Sequence, residues 1–231
     1  YLAFALFPFY IIFITSLKSK QEINNLGESP FWATGIAVEN FTYLYTNTSF
    51  FEHWMVNTLI VTTVSTIISV TVGILAAYAL ARLKFRGVEM FGVAVFITYL
   101  VPQTLLFLPL IDVVNYIDDY IPIRDTYWSL ILTHGVITMP IVIWVLLPFF
   151  DNIPRSIYEA ARVDGCSPAY VFWKIALPLV SSGLVVSTIL AFVFSWNYFL
   201  FSLVLSNSDT KTLIAASFNF IGEGSTNWGG L

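Results

Sequence analysis

Long apolar runs separated by short polar breaks dominate the chain. Residues 54–81 carry threonine and serine but no charge, and 88–111 is apolar with Pro102 and Pro109 interrupting it. Residues 127–150 and 176–205 are again free of acidic and basic side chains. Each run is long enough to cross a hydrocarbon layer, which takes about 20 residues of helix. The leading stretch, 1–17, is apolar but slightly short. Neither an initiator methionine nor a basic leader precedes it, so it reads as a helix whose beginning is missing. Between the runs, 18–51 is polar with Glu22, Glu28 and Glu39, while 82–86 is a basic turn holding Arg82, Lys84 and Arg86. Residues 112–125 are acidic and rich in turn formers, and the tail beyond Leu205 is polar and glycine-rich. The pattern predicts an all-α, polytopic transmembrane helical bundle over 1–231, treated as one domain.

One polar segment, 151–175, sits between two of the apolar runs and reads differently from the others. Arg155, Glu159, Arg162, Asp164 and Lys174 keep it out of the bilayer. A first short helix is expected near Pro154, with Asp151 or Asn152 available as its N-cap. Ile153, Ile157, Ala160, Ala161 and Asp164 fall on one helical face, small and mostly apolar. Gly165 can take positive φ and end that helix. Ser167-Pro168 then opens a second helix as N-cap and first-turn proline. The product is a helix–glycine–helix elbow projecting from the membrane.

Composition supports the membrane assignment: 58% of residues are hydrophobic and only 10% charged, with Phe 21, Tyr 12 and Trp 7. The net charge of −4 matters less than its placement. With the elbow in the cytoplasm, Arg82, Lys84, Arg86, Arg155, Arg162 and Lys174 share two short cytoplasmic loops, as the positive-inside rule requires. Cys166, the single cysteine, cannot form an intrachain disulfide. No glycine is followed by lysine, so a phosphate-binding P-loop is impossible, and Gly222 with Gly224 lacks the third glycine of a dinucleotide motif. Neither His53 nor His134 has a second histidine at ligand spacing, so no metal site and no catalytic group is assigned. ATP hydrolysis must therefore happen elsewhere if the chain serves active transport, and nothing suggests a nucleic-acid partner.

Glu159-Ala160-Ala161, Gly165 six positions after the glutamate, and Ile175, Leu177 and Pro178 resemble the EAA loop of bacterial ABC importer membrane subunits. The string EAARVDG…FWKIALPL, AAYALARLKFRG at 76–87, the Pro102–Pro109 region and Ser195-Trp196-Asn197-Tyr198 are similar to the carbohydrate-uptake subgroup, which includes the second membrane subunit of maltose importers. The resemblance covers essentially the whole chain. It implies a type I importer permease in the inner membrane, alternating between inward- and outward-open states. It implies as partners a second related permease subunit, two nucleotide-binding ATPase subunits that hold ATP and Mg, and an extracytoplasmic solute-binding protein, all amid membrane lipid. It assigns ATPase coupling to Glu159, Ala160, Ala161, Asp164 and Gly165, and it expects a final helix after the region of Trp228, which this sequence lacks.

Other readings stay open at this point. Glu159 stands i,i+4 from Arg155 and i,i+3 from Arg162, so it could belong to a solvated surface pair. Gln103, Asn115, Trp196 and Asn197, near helix interruptions, are candidates for the substrate path, where broken helices expose backbone carbonyls to a cavity. They could equally serve helix–helix contacts. For function, the alternatives are an importer of another polar solute such as glycerol phosphate, or an ATPase-independent channel or membrane enzyme.

Overall fold

The computed structural model describes residues 1–25, 27–46, 51–83, 85–221 and 228–229. Lys84, Gly222 and Gly224, which entered the sequence reading, lie outside the described residues. Among those described, the regular structure is helical throughout. Contacts group the chain into two units, residues 1–58 with 208–231, and residues 59–207.

The first unit contains α1 (Leu2–Leu17), α2 (Lys20–Asn24), α3 (Glu39–Thr46) and the opening turns of α4 (Phe51–Arg82). The polar stretch after α1 is tied back to it by side chains. Asn40 Nδ2 donates to the carbonyls of Ser16 and Lys18, both at 2.8 Å, and the Lys18 ammonium reaches the Ser29 carbonyl. Asn57 Nδ2 holds the carbonyls of Asp209 and Lys211 at 2.8 and 3.0 Å, and Thr58 Oγ1 accepts from the Leu213 N–H at 2.7 Å.

The second unit carries the functional architecture. Its long elements are the remainder of α4 and α7 (Tyr127–Asp151), the two described helices long and apolar enough to cross a membrane unbroken. Two further crossings come from bent pairs. Where 88–111 reads as one interrupted run, the chain forms α5 (Val88–Leu100) and α6 (Gln103–Asp118), bent by 104°. Pro102 explains the break: it has no N–H, and it forces Val101 to an extended ψ of 124°. Pro109 sits inside α6 without ending it, and the acidic residues up to Asp118 are helical rather than turn.

The segment read as 176–205 also divides. After α8 (Arg155–Val163) comes α9 (Pro168–Leu179), whose middle, Val171–Ala176, takes a wider π-helical turn just ahead of Pro178. A 76° bend leads to α10 (Ser181–Trp196), and a second break at Asn197–Tyr198 precedes α11 (Phe199–Leu205). Two glycines let helices approach closely. A Cβ on Gly73 would lie 2.5 Å from Val142 Cγ1, and one on Gly183 would lie 2.6 Å from the Phe149 ring.

Candidate functional site

The elbow is held by one arginine at the end of α4. The Arg82 guanidinium donates to the carbonyls of Phe150, Asp151 and Ile153, where α7 ends and turns towards α8. The Phe150 carbonyl also accepts the Ile153 N–H at 3.2 Å, and a cation at a helix C-terminus complements the carbonyls left there and the helix dipole. The same group stacks over the Tyr158 ring of α8, with Cζ 4.6 Å from its centroid. Burial raises the Tyr158 phenol above its ordinary value, with the Arg82 charge pulling the other way, so the ring stays neutral at physiological pH. Tyr78, one helical turn before Arg82, packs its edge on Phe150 at 5.5 Å and on Phe172 at 4.9 Å. Ile153, Phe172, Ala176 and Val180 continue the same apolar cluster into α9 and the bend beyond it. Three helix ends and the elbow therefore share one core.

Within the elbow, α8 presents Glu159, Ala160, Asp164 and Gly165 outward, while Ala161 is buried at 5% exposure. Glu159 forms no ion pair with Arg155 or Arg162. Gly165 adopts φ 75°, and its N–H bonds the Arg162 carbonyl at 3.0 Å while Cys166 N–H bonds the Ala161 carbonyl at 2.9 Å. That pair of bonds is a Schellman ending, which needs a left-handed residue where glycine stands. Ser167 Oγ caps the next helix at the Tyr170 N–H, 3.2 Å away, with Pro168 in the first turn. The expected cap at Asp151 or Asn152 is not formed: Asp151 is the last residue of α7, and Pro154 occupies the cap position without a side-chain bond.

A cavity of about 440 Å³ opens at the α5–α6 break, with Thr98, Tyr99, Gln103, Pro140, Phe194 and Tyr198 on its wall. Of the four substrate-path candidates, Gln103 alone lines it. Asn115 accepts from Arg124 Nη1 at 3.3 Å, Trp196 stacks on Phe192 at 5.8 Å, and Asn197 Nδ2 donates to the Val193 carbonyl of its own helix at 2.7 Å.

Behind the cavity lies a buried polar network that sequence reasoning does not assemble. His134 Nδ1 lies 3.2 Å from Ser195 Oγ on α10, and Nε2 lies 3.5 Å from Ser202 Oγ on α11, so the ring bridges the break at Asn197–Tyr198. Ser195 also meets Ser65 of α4 at 2.8 Å, and Ser69 bonds Thr138 at 2.7 Å and the Gly135 carbonyl at 2.9 Å. The His134 ring packs on the edge of Tyr198 at 5.0 Å. Four helices are thus hydrogen-bonded side to side where lipid offers no competing partner.

Comparison with known proteins agrees with this architecture. Residues 69–223 match the family described as binding-protein-dependent transport system inner membrane component. The chain is 33% identical over 218 residues to the inner membrane ABC transporter permease protein YcjP of Escherichia coli K12, covering 92% of this chain and 75% of that protein. It is 34% identical over 214 residues to the trehalose transport system permease protein SugB of Mycobacterium tuberculosis, covering 92% and 74%. It is 27% identical over 235 residues to the sn-glycerol-3-phosphate transport system permease protein UgpE of Escherichia coli O1:K1, covering 98% and 81%. Among solved structures, a bacterial ABC transporter involved in the import of the acidic polysaccharide alginate superposes with a TM-score of 0.79 at 23% identity, over 98% of this chain and 78% of that one. This chain belongs to the family of binding-protein-dependent transport system inner membrane components: it is a multi-pass ABC importer permease subunit of the inner membrane and not an enzyme.

Proposed function

We propose that this chain forms half of the translocation path of an ATP-driven importer for a sugar or oligosaccharide, and that the elbow at 151–175 couples it to a separate ATPase. The observation that carries the reading is the anchoring of α8. Arg82 joins the ends of α4 and α7 to the elbow, so a push on α8 is delivered to two spanning helices at once rather than absorbed in a loop. Glu159, Ala160, Asp164 and Gly165 would meet the ATPase, the carboxylate facing a basic partner and the small residues allowing close backbone approach. Ala161 acts from the inside, seating the helix on its support. ATP and Mg belong to two such ATPase subunits, a second related permease subunit completes the path, and an extracytoplasmic binding protein delivers the solute.

Glycerol phosphate as the solute is favoured by one relative's name, while SugB and the resemblance of the loop favour a carbohydrate.

The test uses the assembled transporter in proteoliposomes. Glu159→Ala and Gly165→Ala should insert normally yet lose most ATP-driven uptake. Gly87→Ala is the control: Gly87 also has positive φ, at 89°, and a Cβ at either glycine meets open space. Each alanine therefore carries the same backbone strain, about 1–2 kcal/mol. Uptake retained in Gly87→Ala and lost in Gly165→Ala supports coupling through the elbow; normal uptake in both elbow variants overturns it.

A further inference from the structure

We infer that a slot between α4, α5 and α7 holds an acyl chain of a phospholipid whose headgroup bears a primary ammonium, with Glu89 receiving that ammonium. The inference needs the membrane assignment alone and stands whether or not the elbow couples to an ATPase.

Glu89, Gly92, Val93 and Phe96 stand at i, i+3, i+4 and i+7 on α5, so they share one helical face, and together they line a cavity of about 250 Å³. The facing walls come from Leu80 of α4 and from Ile143 and Leu147 of α7. Glu89 to Phe96 spans about 10 Å of helix, so the slot runs along α5 from the basic turn at 82–86 into the apolar layer. At the far end Phe96 packs on Trp144, ring centroids 4.5 Å apart. Gly92 makes the slot. A glycine inside a helix is destabilising relative to alanine, and at Gly73 and Gly183 close helix packing accounts for it. At Gly92 packing does not: a Cβ there would meet the tip of Leu80 at 3.8 Å, an ordinary contact. What the missing side chain leaves is open groove.

The size of the slot selects its occupant. It falls below the roughly 300–1,000 Å³ of small-molecule pockets, and it is too small to seat a helix, which is about 10–12 Å across with its side chains. One hydrocarbon chain fits these proportions, and the bilayer around α4 and α7, the two unbroken spans, supplies it. The carboxylate then selects the headgroup. Among the described residues, Glu89 alone is charged on the slot wall. Next to hydrocarbon its charge carries a desolvation cost that a paired cation offsets. A primary ammonium brings both charge and three N–H donors. Choline brings charge without donors, and an anionic phosphoglycerol headgroup is repelled. Arg86, exposed in the turn three residues before Glu89, places a guanidinium at the same end of α5 for the lipid phosphate.

The experiment lets the lipid mark its own position. The complete transporter is reconstituted in phosphatidylcholine nanodiscs with a trace of a phospholipid carrying a photoactivatable diazirine in one acyl chain and an ethanolamine, choline or glycerol headgroup. After illumination, peptide mass spectrometry locates the adducts. The expected result is ethanolamine-lipid adducts on 92–96 and 143–147, exceeding those of the other two lipids by about two- to fivefold, the preference that an exposed ion pair supplies. Glu89→Gln should level that preference while adducts remain. Gly92→Leu, which fills the slot, should remove the adducts from 143–147 in a complex that still assembles. Equal yields from all three lipids, or a preference that survives Glu89→Gln, would overturn the inference. So would the absence of any adduct at the slot, the outcome expected if a protein segment covers it.

Discussion

Arg82 shows what a single side chain does at a helix junction. Its Nη2 serves the carbonyls of Phe150, Asp151 and Ile153 while the guanidinium plane offers a face to Tyr158. Lysine can match the charge but not the planar stacking on Tyr158. Arg82→Lys should therefore lower the stability of the assembled complex by about 0.5–2 kcal/mol, the range for a cation stacked on an aromatic ring. A thermal melt of the purified complex measures this, alongside the ratio of solute taken up to ATP hydrolysed. That ratio should fall several-fold, since the elbow would yield before the spanning helices move. An unchanged melt together with an unchanged ratio would show that the aromatic cluster of Tyr78, Phe150 and Phe172 anchors the elbow without it. Gly165 makes a complementary point, because its φ of 75° lets one residue end α8 where the second elbow helix has to start.

At the scale of elements, the breaks matter more than the spans. Two prolines in one apolar run behave oppositely: Pro102 separates α5 from α6 by 104°, while Pro109 is accommodated inside α6. Replacing Pro102 by alanine restores an N–H at the break. Spin labels at Val93 and Leu108, both exposed, should then move apart towards about 22 Å, the length of fifteen residues of continuous helix. A distance equal to that of the parent would mean that packing against α7, not the proline, sets the bend.

The elbow was legible in the sequence because local signals decide it: a glycine needing positive φ, a serine cap before a proline, and charges that cannot enter lipid. The bends were legible only in part. Whether a proline kinks or breaks a helix depends on what neighbouring helices supply to the freed groups, which Pro102 and Pro109 share no local sign of. Arg82 could be counted as a basic loop residue, but the carbonyls it serves lie some seventy positions away. Ser65, His134 and Ser195 are separated in the same manner, and each alone reads as an ordinary polar residue in a span. Asn115, Trp196 and Asn197 stood near interruptions yet turned to partners on their own or adjoining segments.

Across the whole molecule, the elbow and the cavity lie at separate places. The elbow is an exposed surface of mixed charge and small residues carried by the ends of α4 and α7, and the cavity is a neutral space bordered by α5, α6, α7 and the α10–α11 break. The polar network through Ser65, Ser69, His134, Thr138 and Ser195 links α4 and α7 to α10 in the same unit. The apolar exterior of α5, which buries no residue of its own, is available to lipid.

The most direct measurement is crosslinking at Val163, which is 88% exposed at the end of α8. In a Cys166→Ser background, Val163→Cys would be joined by a short thiol crosslinker within the assembled transporter in sealed membranes. The account predicts an adduct with the nucleotide-hydrolysing subunit, formed from the cytoplasmic side and abolishing ATP-driven uptake. A thiol that reacts only with reagents supplied outside the cell, or an adduct containing no ATPase, would contradict it.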